Sequence, residues 1–336
     1  MTSTLLVRTL AVVFSCGVAF AGTNPATSLS GPRLGLVFDR AAGNLRSISG
    51  IPGAAMTGAP LSVGFQISRA ETSPAQDAAL VVNARGSSVE LVRAAGSDWV
   101  TASLDGVQPG PALMAFSPGG SAAALYYGSG RVQILTALPA APAIAGEIDV
   151  SSLPVPVAAM AVDDAGSFLL VAAGPAESVS LYRVPLGSAP SLLGSFRSVS
   201  AVRLFSAGQQ ALVTDTLAAT VYRITGLAGA AAIQTIASAR DGIQGLVAAA
   251  ADSAGQRVFA ATNTGAVFVF DLSGGPVTTL DCGCKPTGMF PLAGAATFRL
   301  TELAGGPLQV LDASSTPRIV VVPPPARAMA LPEGRR

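Results

Sequence analysis

Histidine is absent from this chain, and its absence limits the available chemistry more than any residue that is present. Ser-His-Asp and Cys-His catalysis, acid–base chemistry by imidazole and nearly all histidine-ligated metal sites are excluded for this chain. The sharpest remaining feature is Cys282-Gly283-Cys284. A local disulfide or a pair of loop thiols is the first interpretation. Two thiolates alone are an incomplete ligand set for a redox or soft-metal site, which is the alternative.

The carboxylates of the chain also give little indication of catalysis or metal binding. The chain has 19 Asp and Glu residues, most of them in predicted turns. The pair Asp163-Asp164 fits an aspartate that caps a tight turn better than a calcium loop, which alternates several acidic residues around a glycine. We therefore predict no catalytic, cofactor-binding or metal-binding residues.

The elements that would position any site are short strands, and Leu246 to Gly288 shows their pattern most clearly. Four apolar or β-branched runs of about five residues alternate there with turns rich in Asp, Asn, Ser and Gly. Such a set makes an antiparallel meander. A meander this small cannot cover both of its faces, so it needs neighbours of the same kind.

The pattern repeats along the chain. A glycine closes the turn after each predicted first strand, at intervals of 39 to 47 residues: Gly120, Gly166, Gly208, Gly255 and Gly294. This spacing is close to the roughly 40–45 residues of a four-stranded propeller blade. The predicted fold is all-β with almost no helix, a β-propeller of four-stranded antiparallel blades. Seven blades are preferred, and six with an attached hairpin are the alternative.

The N-terminal part fits the repeat less well. Leu34–Phe38 and Leu45–Ile48 are predicted to pair like the third and fourth strands of a blade, with Ile51–Pro60 as a connecting loop. The next blade is predicted to begin with a first strand at Val63–Ile67. A long polar loop at Arg69–Asp77 follows that strand.

First strands are innermost in a propeller, so their side chains are candidates for lining a central channel. Matching positions of the later repeats hold Met114, Met160, Arg203 and Phe290. Filling the core between blades is the interpretation that we favour for them. Arg203 is the exception, because a lone arginine among apolar equivalents needs a partner or water.

The N-terminus predicts export. Arg8 precedes a short apolar core, and Ala19-Phe20-Ala21 is a small-x-small cleavage site, which is typical of a signal peptide and too short for a membrane anchor. Cleavage near Ala21 would leave a periplasmic or extracellular protein, and a lipoprotein modified at Cys16 is the alternative. The predicted organisation is a signal peptide (1–21), a flexible leader (22–33), a single propeller domain (34–322) and a proline-rich tail (323–336).

Charge and hydropathy narrow the classes of partner. Half of the residues are hydrophobic, 12% are charged and the net charge is +1. This composition does not predict the strongly basic surface that binds nucleic acid or an anionic membrane. Glycine, proline and charged residues interrupt every apolar run before the ~18 residues of a transmembrane helix. We expect a monomer without cofactors.

Strand–turn–strand units such as Met160–Val171 and Leu246–Asp271 resemble the WD40-like and YVTN-type β-propellers of exported bacterial proteins. The Trp-Asp dipeptide and the Gly-His signature of true WD40 repeats are missing. The resemblance implies a non-catalytic binding or scaffold module for a protein, peptide or glycan. The alternatives are a lactonase-like hydrolase that uses carboxylates and a bound cation, and an envelope-assembly scaffold.

Overall fold

The computed structural model describes residues 31–303 and 306–324. The predicted signal peptide, residues 22–30 of the leader and residues 325–336 of the tail therefore lie outside the described residues. The described part of the chain is built from strands, and its one helical element is a 3-10 turn at Ala239–Asp241 that Ser238 caps. Within the same residues, no helix has the length and hydropathy needed to cross a bilayer.

The strands form seven antiparallel sheets in chain order. Blade 1 consists of β1 (Arg33–Asp39), β2 (Asn44–Ile51) and β3 (Ala54–Pro60). Blade 2 consists of β4 (Ile67–Thr72), β5 (Ala78–Asn83), β6 (Val89–Ala95) and β7 (Asp98–Ser103). Blade 3 consists of β8 (Leu113–Phe116), β9 (Ala123–Tyr127), β10 (Arg131–Thr136) and β11 (Ala143–Asp149). Blade 4 consists of β12 (Val157–Val162), β13 (Phe168–Ala173), β14 (Val179–Pro185) and β15 (Ser191–Phe196).

The remaining three blades have four strands each. Blade 5 consists of β16 (Ala201–Phe205), β17 (Gln210–Asp215), β18 (Thr220–Thr225) and β19 (Ala232–Ala237). Blade 6 consists of β20 (Leu246–Ala251), β21 (Arg257–Thr262), β22 (Ala266–Asp271) and β23 (Thr278–Asp281). Blade 7 consists of β24 (Phe290–Pro291), β25 (Thr297–Arg299), β26 (Leu308–Asp312) and β27 (Arg318–Val322). The protein is a seven-bladed β-propeller, which confirms the predicted fold class and the preferred blade count.

The hydrophobic core lies between neighbouring blades. Leu170 of blade 4 and Val213 of blade 5 belong to one buried cluster, and the rings of Phe259 and Phe298 meet 5.4 Å apart between blades 6 and 7. Each sheet thus covers its apolar faces with its neighbours, which is why a single repeat is not a stable unit.

The turn between the first and second strands also packs against the preceding blade. Gly166 lies there at φ +66°, and a Cβ at this position would come within 2.9 Å of the side chains of Ile134 and Thr136. The four other glycines of the predicted series also have positive φ: Gly120, Gly208, Gly255 and Gly294. Close approach of the blades and a left-handed backbone both explain the glycine at Gly166.

Blade 1 lacks its innermost strand among the described residues. The start of β1 lies beside the first turn of blade 7, where Ala293 donates its backbone N–H to the carbonyl of Leu34 at 2.8 Å. The end of β1 lies beside the start of β4, where Ile67 donates to Gly43. Because β1 therefore runs antiparallel to the first strands, it takes the place of a second strand, with β2 and β3 as the third and fourth.

Two predictions for this region are wrong. The segments Leu34–Phe38 and Leu45–Ile48 do pair, but as the second and third strands of a blade. Ile51–Pro60, predicted as a loop, contains β3. Its alanine, glycine and proline residues have low strand propensity. Pairing with β2 and burial of Ala55 against blade 7 decide its conformation instead, as tertiary context often does.

In the described chain, no sheet combines strands from the N-terminal and C-terminal ends, so side-chain and backbone contacts between blades close the ring. The buried side chain of Gln76, in the first turn of blade 2, accepts the backbone N–H of Leu36 at 2.8 Å and donates to the carbonyl of Pro291 at 2.8 Å. One amide thereby joins blades 1, 2 and 7. At the outer edge, Thr57 donates its hydroxyl to the carbonyl of Pro323 at 3.0 Å.

Candidate functional site

The inner strands surround a central channel with a cavity of about 1050 Å³. Met114 on β8, Met160 on β12, Arg203 on β16 and Phe290 on β24 lie along this cavity. Met160 is buried and also packs in the cluster between blades 3 and 4. Phe38 of β1 reaches the channel at blade 1. The wall thus combines apolar and charged side chains, and the charged ones decide what it attracts.

The first strand of blade 2 contributes polar residues to the channel wall. This strand is Ile67–Thr72, whereas Val63–Ile67 was predicted, so that prediction is wrong. Arg69 and Glu71, predicted in a polar loop, lie on a channel-lining strand instead. Residues that face a water-filled channel need not be apolar. The alternation of apolar and polar residues on which strand prediction rests is then lost.

Three charged side chains influence one another across the channel. Glu71 lies on β4 of blade 2, Arg203 on β16 of blade 5 and Arg299 at the end of β25 of blade 7. Electrostatic attraction couples Glu71 to both guanidinium groups. The ion pairs of the described chain nevertheless include none between these three residues. The charges therefore face a common space without neutralising one another by direct contact.

Each guanidinium is anchored by the backbone. Arg203 donates from Nη2 to the carbonyl of Met289 at 3.2 Å. Arg299 donates from Nη1 to the carbonyl of Thr301 at 2.6 Å and lies 4.0 Å from the centroid of the Phe290 ring. Arg299 is only 8% exposed, and its Nε is buried without an acceptor among the described residues. These contacts fix the orientation of Arg299 but leave one of its donors unused.

Burial changes the ionisation of the three groups. It raises the pKa of Glu71 from 4.5 to about 7, against the opposing attraction of Arg203 and Arg299. Burial also lowers the pKa of Arg203 and lowers that of Arg299 to about 10. Near neutral pH, Glu71 is thus close to half ionised while both arginines stay charged. The trio carries a net positive charge.

Among the other carboxylates of the channel region, Glu302 also lines the cavity, pairs with Arg40 and attracts Arg299. The aspartates serve the turns. Asp163 accepts the backbone N–H groups of Ser167 and Phe168 at 2.6 and 2.9 Å. Its neighbour Asp164 turns to the preceding blade and accepts the N–H of Gly119 at 2.6 Å. The pair therefore does not converge on one point. In residues 31–303 and 306–324, no three His, Cys, Asp or Glu side chains are grouped as a metal site would require.

Cys282 and Cys284 lie outside the channel. Their sulfur atoms are bonded, with a Cα–Cα distance of 5.1 Å, in the link from β23 to blade 7. Cys282 is buried against Met289 and Ala296. The bridge therefore belongs to the packing between blades 6 and 7. Neither cysteine lines the cavity.

Sequence reasoning singled out Arg203 but missed Glu71 and Arg299. Arg203 stood out because its repeat equivalents are apolar. Glu71 was hidden by the wrong strand assignment. Arg299 follows the apolar residue Phe298 on a second strand. The available signal was a charged residue, Arg299, directly after an apolar one in a predicted blade.

No protein-family model matches the chain. No curated protein matches it either. Solved structures do, at low identity. A protein of Bacteroides fragilis NCTC 9343, provisionally assigned as a 6-phosphogluconolactonase, is 12% identical with a TM-score of 0.60, over 89% of this chain and 98% of that one.

Two further solved structures resemble this chain to a similar degree. A functionally unknown protein of Desulfotomaculum acetoxidans DSM 771 is 13% identical, with a TM-score of 0.58 over 87% of this chain and 99% of that one. The β-propeller domain of Cps50 (Swd1) from Myceliophteria thermophila is 14% identical, with a TM-score of 0.52 over 84% and 96%. At these identities the likeness shows the propeller fold alone, and any function must be argued from the channel.

Proposed function

We propose that this protein is a non-catalytic binding module whose central channel holds an anionic group of its ligand, a carboxylate or a phosphate, between Arg203 and Arg299. The observation that carries the proposal is that two guanidinium groups anchored by backbone carbonyls, those of Arg203 and Arg299, lie along one cavity and form no ion pair among the described residues. A guanidinium group without a carboxylate partner keeps hydrogen-bond donors available, and an anionic oxygen is their strongest acceptor.

The charge balance of the trio supports an anionic ligand. Apart from the ion pair of Arg40 with Glu302, the guanidinium groups of Arg203 and Arg299 face the carboxyl of Glu71, and burial opposes ionisation of that carboxyl. Guanidinium groups bind carboxylates and phosphates through paired hydrogen bonds, and burial strengthens those bonds. Because the backbone already orients Arg203 and Arg299, little side-chain entropy remains to be lost on binding.

The test is calorimetric titration with succinate and inorganic phosphate, and with neutral succinamide for comparison. We expect binding of the anions alone. Arg203→Met, which introduces the residue found at the equivalent positions of β8 and β12, weakens it by about tenfold or more. Arg240→Gln removes one positive charge from the exposed 3-10 turn and serves as the matched control. Equal weakening in both variants, or equal binding of succinamide, contradicts the proposal.

A hydrolase is the second candidate, because one observation favours it. A channel carboxyl with a pKa of about 7 suits a general base. In this alternative Glu71 activates water, and Arg203 and Arg299 stabilise the negative charge that develops on a lactone or ester. Hydrolysis of δ-valerolactone by the wild-type protein, lost in Glu71→Gln, would favour the enzyme over the binding module. Retained anion binding without turnover would favour the binding module.

The cellular compartment is a separate proposal. Export rests on residues 1–21, and the predicted cleavage lies after Ala21. Mass spectrometry of the mature protein is expected to find Gly22 at the N-terminus. A lipidated Cys16 there would favour an envelope-anchored scaffold instead.

A further inference from the structure

We infer that the ligand is an amphipathic anion, with one acidic head group and an uncharged apolar body, and that the body lies against the apolar wall of the channel formed by β8 and β12. This inference rests on the proposed function and narrows its ligand to one chemical class. It goes beyond the anion site because it involves the side of the channel that lies across from Arg299.

The two guanidinium groups converge on one part of the channel wall. Arg203 lies on β16 of blade 5 and donates to the carbonyl of Met289 at 3.2 Å. The guanidinium of Arg299 lies 4.0 Å from the ring centroid of Phe290, the residue that follows Met289. The side chain of Arg203 therefore passes in front of blade 6 to reach blade 7. Residues 248–251 of β20 are all alanine, and their small side chains leave room for this crossing. The acidic head group consequently belongs at blade 7.

The opposite wall of the channel is apolar. The blades follow one another in chain order, so blades 3 and 4 are the two that lie furthest from blade 7 in a ring of seven. The cavity is lined there by Leu113–Phe116 of β8 and by residues 158–161 of β12. These side chains are leucine, methionine, phenylalanine and alanine, without a polar or charged group. All four residues of β8 are half-buried, so each keeps part of its surface in the channel.

An apolar wall of this kind favours an apolar ligand body. Binding removes water from the exposed parts of β8 and from the ligand, which is favourable. Met114 adds a flexible, unbranched side chain that adapts to the shape of what it contacts. The cavity of about 1050 Å³ has the size of sites that bind small organic molecules. A ligand with its head group at blade 7 and its body at blades 3 and 4 thus lies across the channel.

Charge excludes a second anionic group from the body. Glu71 lies on β4 of blade 2, beside blade 3, and its ionised form repels a carboxylate on that side of the channel. Glu302 attracts Arg299, but its ion pair with Arg40 offsets part of its charge. The remaining charged side chains of the cavity have partners within the protein: Asp252 with Arg257 at 3.3 Å, Arg69 with the carbonyl of Pro111 at 2.7 Å, and Asp164 with the N–H of Gly119 at 2.6 Å.

The test is calorimetric titration at pH 6 with straight-chain monocarboxylates from propanoate to octanoate. Each added methylene is expected to strengthen binding by about threefold, because it moves from water to the apolar wall. Two compounds of the same length as octanoate are the comparisons: suberate, which carries a second carboxylate, and octanamide, which is neutral. Both are expected to bind about tenfold or more weakly than octanoate, because one buries a charge against the apolar wall and the other lacks the acidic head group.

Met114→Gln and Met56→Gln form a matched pair of variants. Met114 lines the cavity on β8, whereas Met56 is 64% exposed on β3. Met114→Gln is expected to reduce the ratio of octanoate affinity to propanoate affinity by about fivefold or more, because the amide makes the wall polar. Met56→Gln is expected to leave that ratio unchanged. The chain-length series on the wild-type protein decides the matter if Met114→Gln does not fold.

Several results would overturn the inference. Affinity that does not rise from propanoate to octanoate would mean that the apolar wall takes no part in binding. Suberate that binds as tightly as octanoate would mean that the body need not be uncharged. An unchanged affinity ratio in Met114→Gln, or an equal fall in Met56→Gln, would assign the body to another surface. In each of these cases, binding of succinate or phosphate leaves the proposed function standing. Octanamide that binds as tightly as octanoate, or loss of binding of every anion, refutes both.

Discussion

The side chain of Gln76 accepts the backbone N–H of Leu36 at 2.8 Å, across 40 residues of sequence. The same amide donates to Ser73 within its own turn and to Pro291 of blade 7. It therefore takes up part of the hydrogen bonding that an innermost strand would provide in blade 1. Gln76 is only 3% exposed, so its bonds are shielded from water.

Gln76→Leu is therefore expected to destabilise the protein by about 2–4 kcal/mol, because it leaves the N–H of Leu36 and the carbonyl of Pro291 buried without this partner. Urea unfolding followed by circular dichroism measures the change. Gln234→Leu, on the exposed face of β19, is the matched control and is expected to cost under about 0.5 kcal/mol. Similar costs at the two positions would show that Gln76 does not hold the ring closed.

Glu71 makes stability depend on pH. Folding raises its pKa from 4.5 to about 7, so the unfolded chain releases this proton first as pH rises. The contribution of Glu71 to stability is complete below pH 4.5 and is lost as the pH rises through about 7. Glu71→Gln is expected to gain on the order of 1–3 kcal/mol relative to wild type between about pH 5 and 8. A pH-independent difference in unfolding free energy contradicts the assignment.

The same carboxyl is expected to control ligand affinity. Ionised Glu71 repels an anion, so succinate binding should weaken roughly tenfold as the pH rises from about 6 to 8. Glu71→Gln should bind succinate with an affinity that stays constant over this range. Calorimetric titrations of both proteins at each pH provide the measurement. An identical pH dependence in Glu71→Gln would assign the effect to another group.

Gly166 tests the packing between blades. A Cβ here meets two side chains of blade 3 at 2.9 Å, and the backbone is at φ +66°. Gly166→Ala is expected to destabilise by about 1–3 kcal/mol, through overpacking and the left-handed backbone. Gly86→Ala is the control, since nothing lies within 4 Å of that position. Thermal unfolding of the two variants compares them directly, and equal melting temperatures would rule out the packing argument.

Much of the architecture was predictable from turn chemistry. Gly166 and Gly255 mark the repeat because the left-handed turns and close approach of blades require glycine, whatever the surrounding residues are. β3 was not predictable, since its small residues carry no strand signal and its pairing with β2 decides its state. The place of β1 within its blade depends on long-range bonds such as Ala293 to Leu34, which local sequence does not encode.

The channel was less predictable than the fold. Arg203 could be found by aligning the repeats, because its equivalents are apolar. Glu71 could not, since a polar strand has no hydrophobic period to reveal it. The unused donor of Arg299 depends on which carbonyls surround it in three dimensions, and only the structure shows that.

The most direct test of the central claim is the location of a bound anion. Crystals soaked in a few millimolar selenate can be measured at the selenium absorption edge, where the anion is identified by its anomalous signal. The binding-module account predicts a peak in the channel between the guanidinium groups of Arg203 and Arg299, and its loss in Arg203→Met. Peaks confined to exposed arginines such as Arg240, with none in the channel, would contradict it.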